Sequence, residues 1–180
     1  MRIDSHLYRG NINKNLRVVY NYNFEPSGQY QTIVERDNGN IIINPSFSIT
    51  ISEGFERDRL FVPANKYYPF ATLLKTAVKL ISDNLYEIFP NVHSNEFEVD
   101  SRVLERFQTE QAMTTVGMTM MPSVWVDESG GCYPAIKVTT LKCGTIVIPL
   151  EDAIPISKLL HSFEPHSAGY SILRIIGKIN

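Results

Sequence analysis

The amino-acid sequence predicts an α+β fold: two repeats of a four-stranded antiparallel β-meander followed by a helix, packed as one pseudo-twofold domain. Three observations predict it. The stretch "VPANKYYPFATLL", residues 62–74, is echoed by "IPLEDAIPISKLL", residues 148–160: each has a proline, five residues, a second proline, three residues and a Leu pair. Each copy follows a short apolar run and, before that, an alternating segment that opens on proline, at Pro45 and at Pro134. Phe70, Leu73, Leu74 and Ala77 correspond without a gap to Ile156, Leu159, Leu160 and Phe163, which is the i, i+3, i+4, i+7 stripe of an amphipathic helix. Matches held in one register over this distance indicate an internal duplication, with residues 1–90 and 91–180 sharing one core.

The strands follow from period-two alternation. In "PSFSITIS", Phe47, Ile49 and Ile51 alternate with Ser48, Thr50 and Ser52, and in "PAIKVTTL", Ile136 and Val138 alternate with Lys137 and Thr139. Upstream in the first half, "RVVYNYNF" and "YQTIVER" precede "NIIINPSFSITIS", with "RDNGN" as a tight-turn signal between the last two. In the second half "TTVGMTMM" and "SVWVD" precede the 133–141 strand across the turn "ESGG". The apolar runs "LFVP" and "TIVIP" close each meander and lead into the helices. Pro69 and Pro155 are expected in first turns, where a missing N–H costs little, and Pro90 and Pro165 at helix ends. Residues 101–112 read as a short helix or linker with Asp100 as N-cap, and the tail "YSILRIIGKI" as a strand or a last helical turn.

A chain of 180 residues with 43% apolar and 20% charged residues has the composition of a folded globular protein. No run reaches the 18 or so apolar residues of a membrane span, and the first fifteen residues lack the apolar core of a secretory signal. An intracellular, cytoplasmic protein without a membrane partner is therefore expected. Cys132 and Cys143 fit a reducing compartment, though two cysteines also permit one bridge; if residues 133–141 form a single strand, the sulfurs stand roughly 30 Å apart, beyond disulfide reach. The formal net charge of −2 argues against a protein that grips duplex nucleic acid by bulk positive charge. Residues 1–90 carry ten Lys or Arg against nine Asp or Glu, and residues 91–180 seven against ten, so an anion-binding surface is expected to be local and in the first half.

Catalytic signatures are missing from the sequence: no phosphate-binding glycine loop, no H-E-x-x-H and no G-x-S-x-G. In "HSFEPH", Pro165 interrupts the path from His161 and Glu164 to His166, so the group reads as a surface helix end rather than a metal centre. Glu96, Glu98 and Asp100 alternate on one face if extended, which suits a solvated strand edge. Glu151 and Asp152 precede the second helix, where acids meet the helix dipole favourably. No enzyme, cofactor or metal is expected.

The remaining signal is aromatic and basic interleaving near the N-terminus. Tyr20, Tyr22 and Phe24 share one face of a strand, and Arg17, Asn21 and Asn23 the other. Single-strand binders use aromatic rings as stacking platforms beside cations that follow the phosphates. On this reading Arg9, Lys14, Arg17 and Arg36 meet phosphates, Tyr20 and Tyr22 stack on bases, and Lys137 adds a cation from the second sheet. Ser48, Thr50, Lys137 and Thr139 form polar strand faces able to donate hydrogen bonds.

A duplicated meander-plus-helix unit resembles the Whirly family of single-stranded nucleic-acid-binding proteins, and the positive-cofactor-four family, in which one such unit per chain dimerises. The resemblance covers about residues 16–165 and rests on the two quoted stretches. It implies crossed sheets locked by the helices, with single-stranded DNA or RNA on the outer sheet surfaces. The Lys-rich strand motif of plant Whirly proteins is missing here. Non-catalytic binding of single-stranded nucleic acid is the expected function, in replication, recombination or transcription, as in a phage accessory protein or an oligomer. The alternative is a protein-interaction module using the helices and residues 101–112.

Overall fold

The computed structural model describes residues 2–23, 32–37, 40–45, 47–54, 59–63, 66–90, 102, 105–106, 114–115, 117–140 and 144–163. The chain runs β1 (Arg2–Arg9), β2 (Leu16–Asn23), β3 (Thr32–Asp37), β4 (Asn40–Pro45), β5 (Phe47–Glu53), β6 (Arg59–Pro63), α1 (Tyr67–Asp83), α2 (Leu85–Ile88), β7 (Thr114–Thr115), β8 (Met118–Val126), β9 (Cys132–Thr140), β10 (Gly144–Pro149) and α3 (Leu150–Ser162). The fold is α+β. One antiparallel sheet has the order β1-β2-β5-β6, a second has β7-β8-β9-β10, and among the described residues β3 and β4 form a two-stranded sheet of their own.

Three strand assignments differ from the sequence expectation. The first sheet takes its outermost strand from residues 2–9, where no strand was expected, because a bulge between His6 and Tyr8 interrupts the alternation that marks a strand. The segment 40–52, read as one strand, divides: β4 ends at Pro45 in the hairpin, and β5 begins at Phe47 in the first sheet. The hairpin itself agrees with the Asn-Gly signal, since Asp37 pairs with Asn40 across two connecting residues. Conversely, Pro122 does not divide "TTVGMTMM" from "SVWVD", and β8 runs through it opposite Ile136. Past the two-residue β7 this strand has no neighbour on that side among the described residues, an edge position where a residue without an N–H is tolerated.

The first helix carries the predicted stripe: Phe70, Leu73, Leu74, Ala77 and Ile81 of α1 are buried. The second carries part of it: Ile156 and Leu160 of α3 are buried, whereas Leu159 is half-buried and Phe163 lies just past the helix end in extended conformation. The buried ones join Leu16, Val18, Tyr20, Ile49 and Ile51 of the first sheet and Met120, Ile136, Val138 and Ile148 of the second in one continuous core. Each such aliphatic or aromatic side chain contributes about 1.5–3 kcal/mol on leaving water. Pro69 lies in the first turn of α1 as expected, but α3 starts directly at Leu150, which places Pro155 inside the helix. There it removes an i→i−4 hydrogen bond, so packing against the core rather than backbone preference holds this helix.

Buried polar contacts join distant segments. The Tyr67 hydroxyl donates to the carbonyls of Leu160 and Phe163, which sets the start of α1 beside the end of α3; burial pushes its phenol well above the usual range. Asp152 is fully buried, and it does more than meet its own helix dipole. Its Oδ1 accepts from the Tyr8 hydroxyl at 2.7 Å and from the Asn11 N–H at 2.6 Å, and its Oδ2 from the Asn13 N–H at 2.9 Å. The Ile12 N–H reaches both oxygens, at 3.3 and 3.2 Å. Three successive amides of the β1–β2 loop thus close on one carboxylate, a nest-like cradle. Burial, then the bond to Asp152, raises the Tyr8 phenol above its usual range. Glu53 makes a second link, accepting from Asn13 Nδ2 at 2.7 Å and from Trp125 Nε1 at 2.9 Å.

The β8–β9 turn expected at "ESGG" is closed by Asp127, which accepts from the Ser129 hydroxyl at 2.7 Å, the Ser129 N–H at 2.9 Å and the Gly131 N–H at 2.6 Å. These bonds, the Ser129 hydroxyl first, hold its carboxyl below the usual range. Gly130 adopts φ 86°, which a side chain would strain.

Candidate nucleic-acid interface

The outward face of the first sheet follows from alternation and register. Leu16, Val18 and Tyr20 of β2 face the core, so Arg17, Val19 and Asn21 face away. Cross-strand pairing then arranges that face in three rows. Arg9 pairs with Arg17, Arg17 with Ser52, and Ser52 with Arg59. The next row is His6, Val19, Thr50 and Phe61, and the last is Asp4, Asn21, Ser48 and Pro63.

The first row holds three guanidinium groups on adjacent and near-adjacent strands. With neighbouring strands about 4.8 Å apart, Arg9 and Arg59 stand about 14 Å from one another across the sheet. Arg9 and Arg59 are exposed and Arg17 is half-buried. Among the described residues none of the three has a carboxylate partner. Lys14, also exposed, lies in the β1–β2 loop that joins Arg9 to Arg17, and so extends the same basic edge. The loop is held in place by the Asp152 cradle, which connects the position of these cations to the far half of the chain.

The second row supplies an aromatic surface. Phe61 is 47% exposed, one of few large apolar side chains so placed among the described residues. It stands two residues along β6 from Arg59, about 6.6 Å, and His6 is exposed at the other end of its row. The third row is closed. Asn21 and Ser48 are buried, and Asn21 Nδ2 donates to Ser48 Oγ at 3.2 Å and to Thr50 Oγ1 at 2.7 Å. Ser48 and Thr50 therefore accept from a neighbouring side chain, in contrast to the open, ligand-facing hydroxyls expected.

Of the expected contact residues, Arg9, Lys14 and Arg17 come together. Tyr20 is a correction: it is fully buried, its ring edge-on to Phe163 at 5.4 Å between centroids, and has no surface on which a base can stack. Alternation gives two faces to a strand without saying which is inward, and the Tyr20 face is the inward one. Tyr22 and Arg36 stand on β2 and β3, but their side chains lie outside the described residues. Lys137 is half-buried on the second sheet, in a row with Met121 and Val147, apart from the arginines. Neighbouring rows there are Thr119, Thr139 and Thr145, and Ser123, Ala135 and Pro149, so among the described side chains these rows hold the single cation Lys137, where one row of the first sheet holds three arginines.

Arg59, Phe61 and His6 were not found by sequence reasoning. A signal existed for the first two: Arg59 and Phe61 alternate with Leu60 and Val62, which places them opposite the polar side of "SITIS" once β5 and β6 pair. His6 was hidden by the bulge.

The other chemistry-bearing groups do not converge. His161, at the end of α3, makes its ring contact at 3.2 Å with the Ala71 carbonyl of α1. Glu164, His166 and the acids at 96–100 lie outside the described residues, as does Cys143; Cys132 carries a free thiol. Among the described residues no three His, Cys, Asp or Glu side chains are grouped to hold a metal ion. No described helix is long and apolar enough to cross a membrane. Compared with known protein families, curated proteins and solved structures, the chain matches none.

Proposed function

We propose that the protein binds single-stranded nucleic acid, without catalysis, across the outward face of the first sheet. The observation that carries this reading is the cross-strand row of Arg9, Arg17 and Arg59 beside the exposed ring of Phe61. Guanidinium groups recognise phosphate oxygens through paired donors, and three without carboxylate partners among the described residues are a local anion surface on a chain whose net charge is negative. The phosphodiester backbone then runs across the strands along the arginines, with Lys14 at one end. Bases fall toward the second row, where Phe61 offers a stacking face worth about 1–3 kcal/mol per base. A flat face with adjacent cations and aromatics suits an unpaired strand better than a duplex, whose phosphates curve away and whose bases are stacked inside.

The pseudo-twofold duplication belongs to the same proposal. Two antiparallel sheets, each followed by a helix, and the shared Pro-x5-Pro-x3-Leu-Leu phrase support it, as does the likeness in pattern to Whirly proteins. On this view one repeat has kept a basic outward face and the other has not. The test is fluorescence anisotropy of a labelled single strand of roughly 30 nucleotides, at low and high salt, beside the matching duplex. Salt-sensitive binding that favours the single strand, and weakens in Arg17→Ala and Phe61→Ala, supports the reading; no binding at micromolar protein removes it.

A further inference from the structure

The side of the molecule formed by the two long helices has a separate feature. α1 and α3 run antiparallel: Tyr67 at the start of α1 meets Leu160 near the end of α3, and Ser82 near the end of α1 lines a common cavity with Leu150 at the start of α3. Along their solvent-facing seam is a groove of about 480 Å³, lined by the half-buried Val78 and Ile154 and the buried Ser157, with the exposed Lys75, Lys79, Lys158 and His161 around them. The chain as a whole is acidic, yet its helix seam gathers three lysines. Lys79 pairs with Asp83 on its own helix, an exposed i, i+4 contact, while Lys75 and Lys158 have no carboxylate partner among the described residues. Tyr68 of α1 and Tyr86 of α2 are also exposed, 70% and 65%, but neither lines the groove.

We propose that this groove docks an acidic, amphipathic peptide segment of a partner protein. The argument is complementarity. An apolar floor between helices accepts the apolar stripe of a peptide helix, and lysines on both walls meet carboxylates that flank such a stripe. The seam of α1 and α3 is about 20 Å long, enough for a peptide helix of about 13 residues. Single-stranded nucleic acid suits it less well, because the cations stand around an apolar floor and the groove presents no aromatic face to a base. The face lies on the helices and not on the arginine row, so the proposal does not depend on the nucleic-acid reading.

The probe is a fluorophore-labelled peptide of about 15 residues built from Glu and Leu at helical spacing, against a control with Lys in place of Glu, both titrated with the full chain. Binding of the Glu peptide alone, weakened by salt and by about tenfold in each of Lys75→Glu and Lys158→Glu, is the expected result. Circular dichroism of the variants should be unchanged, since both lysines are exposed. Equal binding of the two peptides, or of the variants and the natural chain, overturns the proposal, and so does absence of binding at high micromolar protein. If the same charge reversals lower affinity for the single-stranded oligonucleotide and not for the peptide, the groove is a nucleic-acid site and the proposal falls.

Discussion

Tyr8 and Asp152 are 144 residues apart in sequence, and the phenol of one donates to the carboxylate of the other at 2.7 Å. The same carboxylate collects the Asn11, Ile12 and Asn13 amides, so its removal leaves several donors unpaired where water has little access. Asp152→Ala is expected to cost about 3–5 kcal/mol, Asp152→Asn less because one acceptor oxygen remains, and Tyr8→Phe about 1–2 kcal/mol. Urea denaturation checks the order. Tyr8→Phe in the Asp152→Ala background should cost less than in the natural chain, because the two share one network.

Alkaline pH is expected to loosen the fold. Tyr8 and Tyr67 both have phenols raised in the folded state, chiefly by burial. A raised folded value keeps the proton on in the native state while the unfolded chain releases it above about pH 10. Stability is therefore complete below that value and declines as pH climbs from it toward the folded values. Thermal melts from pH 7 upward, beside phenolate absorbance, should show the loss, and Tyr67→Phe should flatten its pH dependence.

Binding and stability should separate between Tyr20 and its neighbours on the other face of the sheet. Arg17→Ala and Arg59→Ala are expected to lower single-strand affinity and to reduce the salt slope by about 0.7 each. Phe61→Ala should lose about 1–3 kcal/mol of binding with little change in melting temperature. Tyr20→Ala, in contrast, empties a core position and should cost about 3–5 kcal/mol of stability. Paired melting and anisotropy measurements distinguish the two outcomes.

The single tryptophan reports on the Glu53 link. Trp125 Nε1 donates to Glu53 Oε1, which also holds Asn13. Glu53→Ala should shift Trp125 emission to longer wavelength, as its N–H turns to water, and destabilise the chain by about 1–3 kcal/mol. An unchanged spectrum would mean that the tryptophan is positioned without Glu53, by its ring contact with Tyr133.

The helices were legible because a 3.6-residue stripe has only one apolar side: Phe70, Leu73, Leu74 and Ala77 are all buried. The paired alternating strands β5 and β9 were legible for the corresponding reason at period two. What escaped depended on tertiary pairing. The bulge at residues 6–8 disguised β1, Pro122 looked like a boundary until its strand proved to be an edge, and Pro155 entered a helix that packing extends toward Pro149. The candidate site was half legible. Arg9, Lys14 and Arg17 are close in sequence and were found together, whereas Arg59 and Phe61 reach them only when β5 intervenes. Tyr20 was placed on the wrong side because a strand's two faces differ in burial only once something covers one of them.

The carboxylate cradle also sets an order of events during synthesis. The β1–β2 loop emerges from the ribosome early, but the group that satisfies its amides is residue 152, more than a hundred residues later. Contacts so distant in sequence form late and slowly. The β1–β2 loop must wait for α3 before its amides are satisfied, so this closure belongs to a late step of folding.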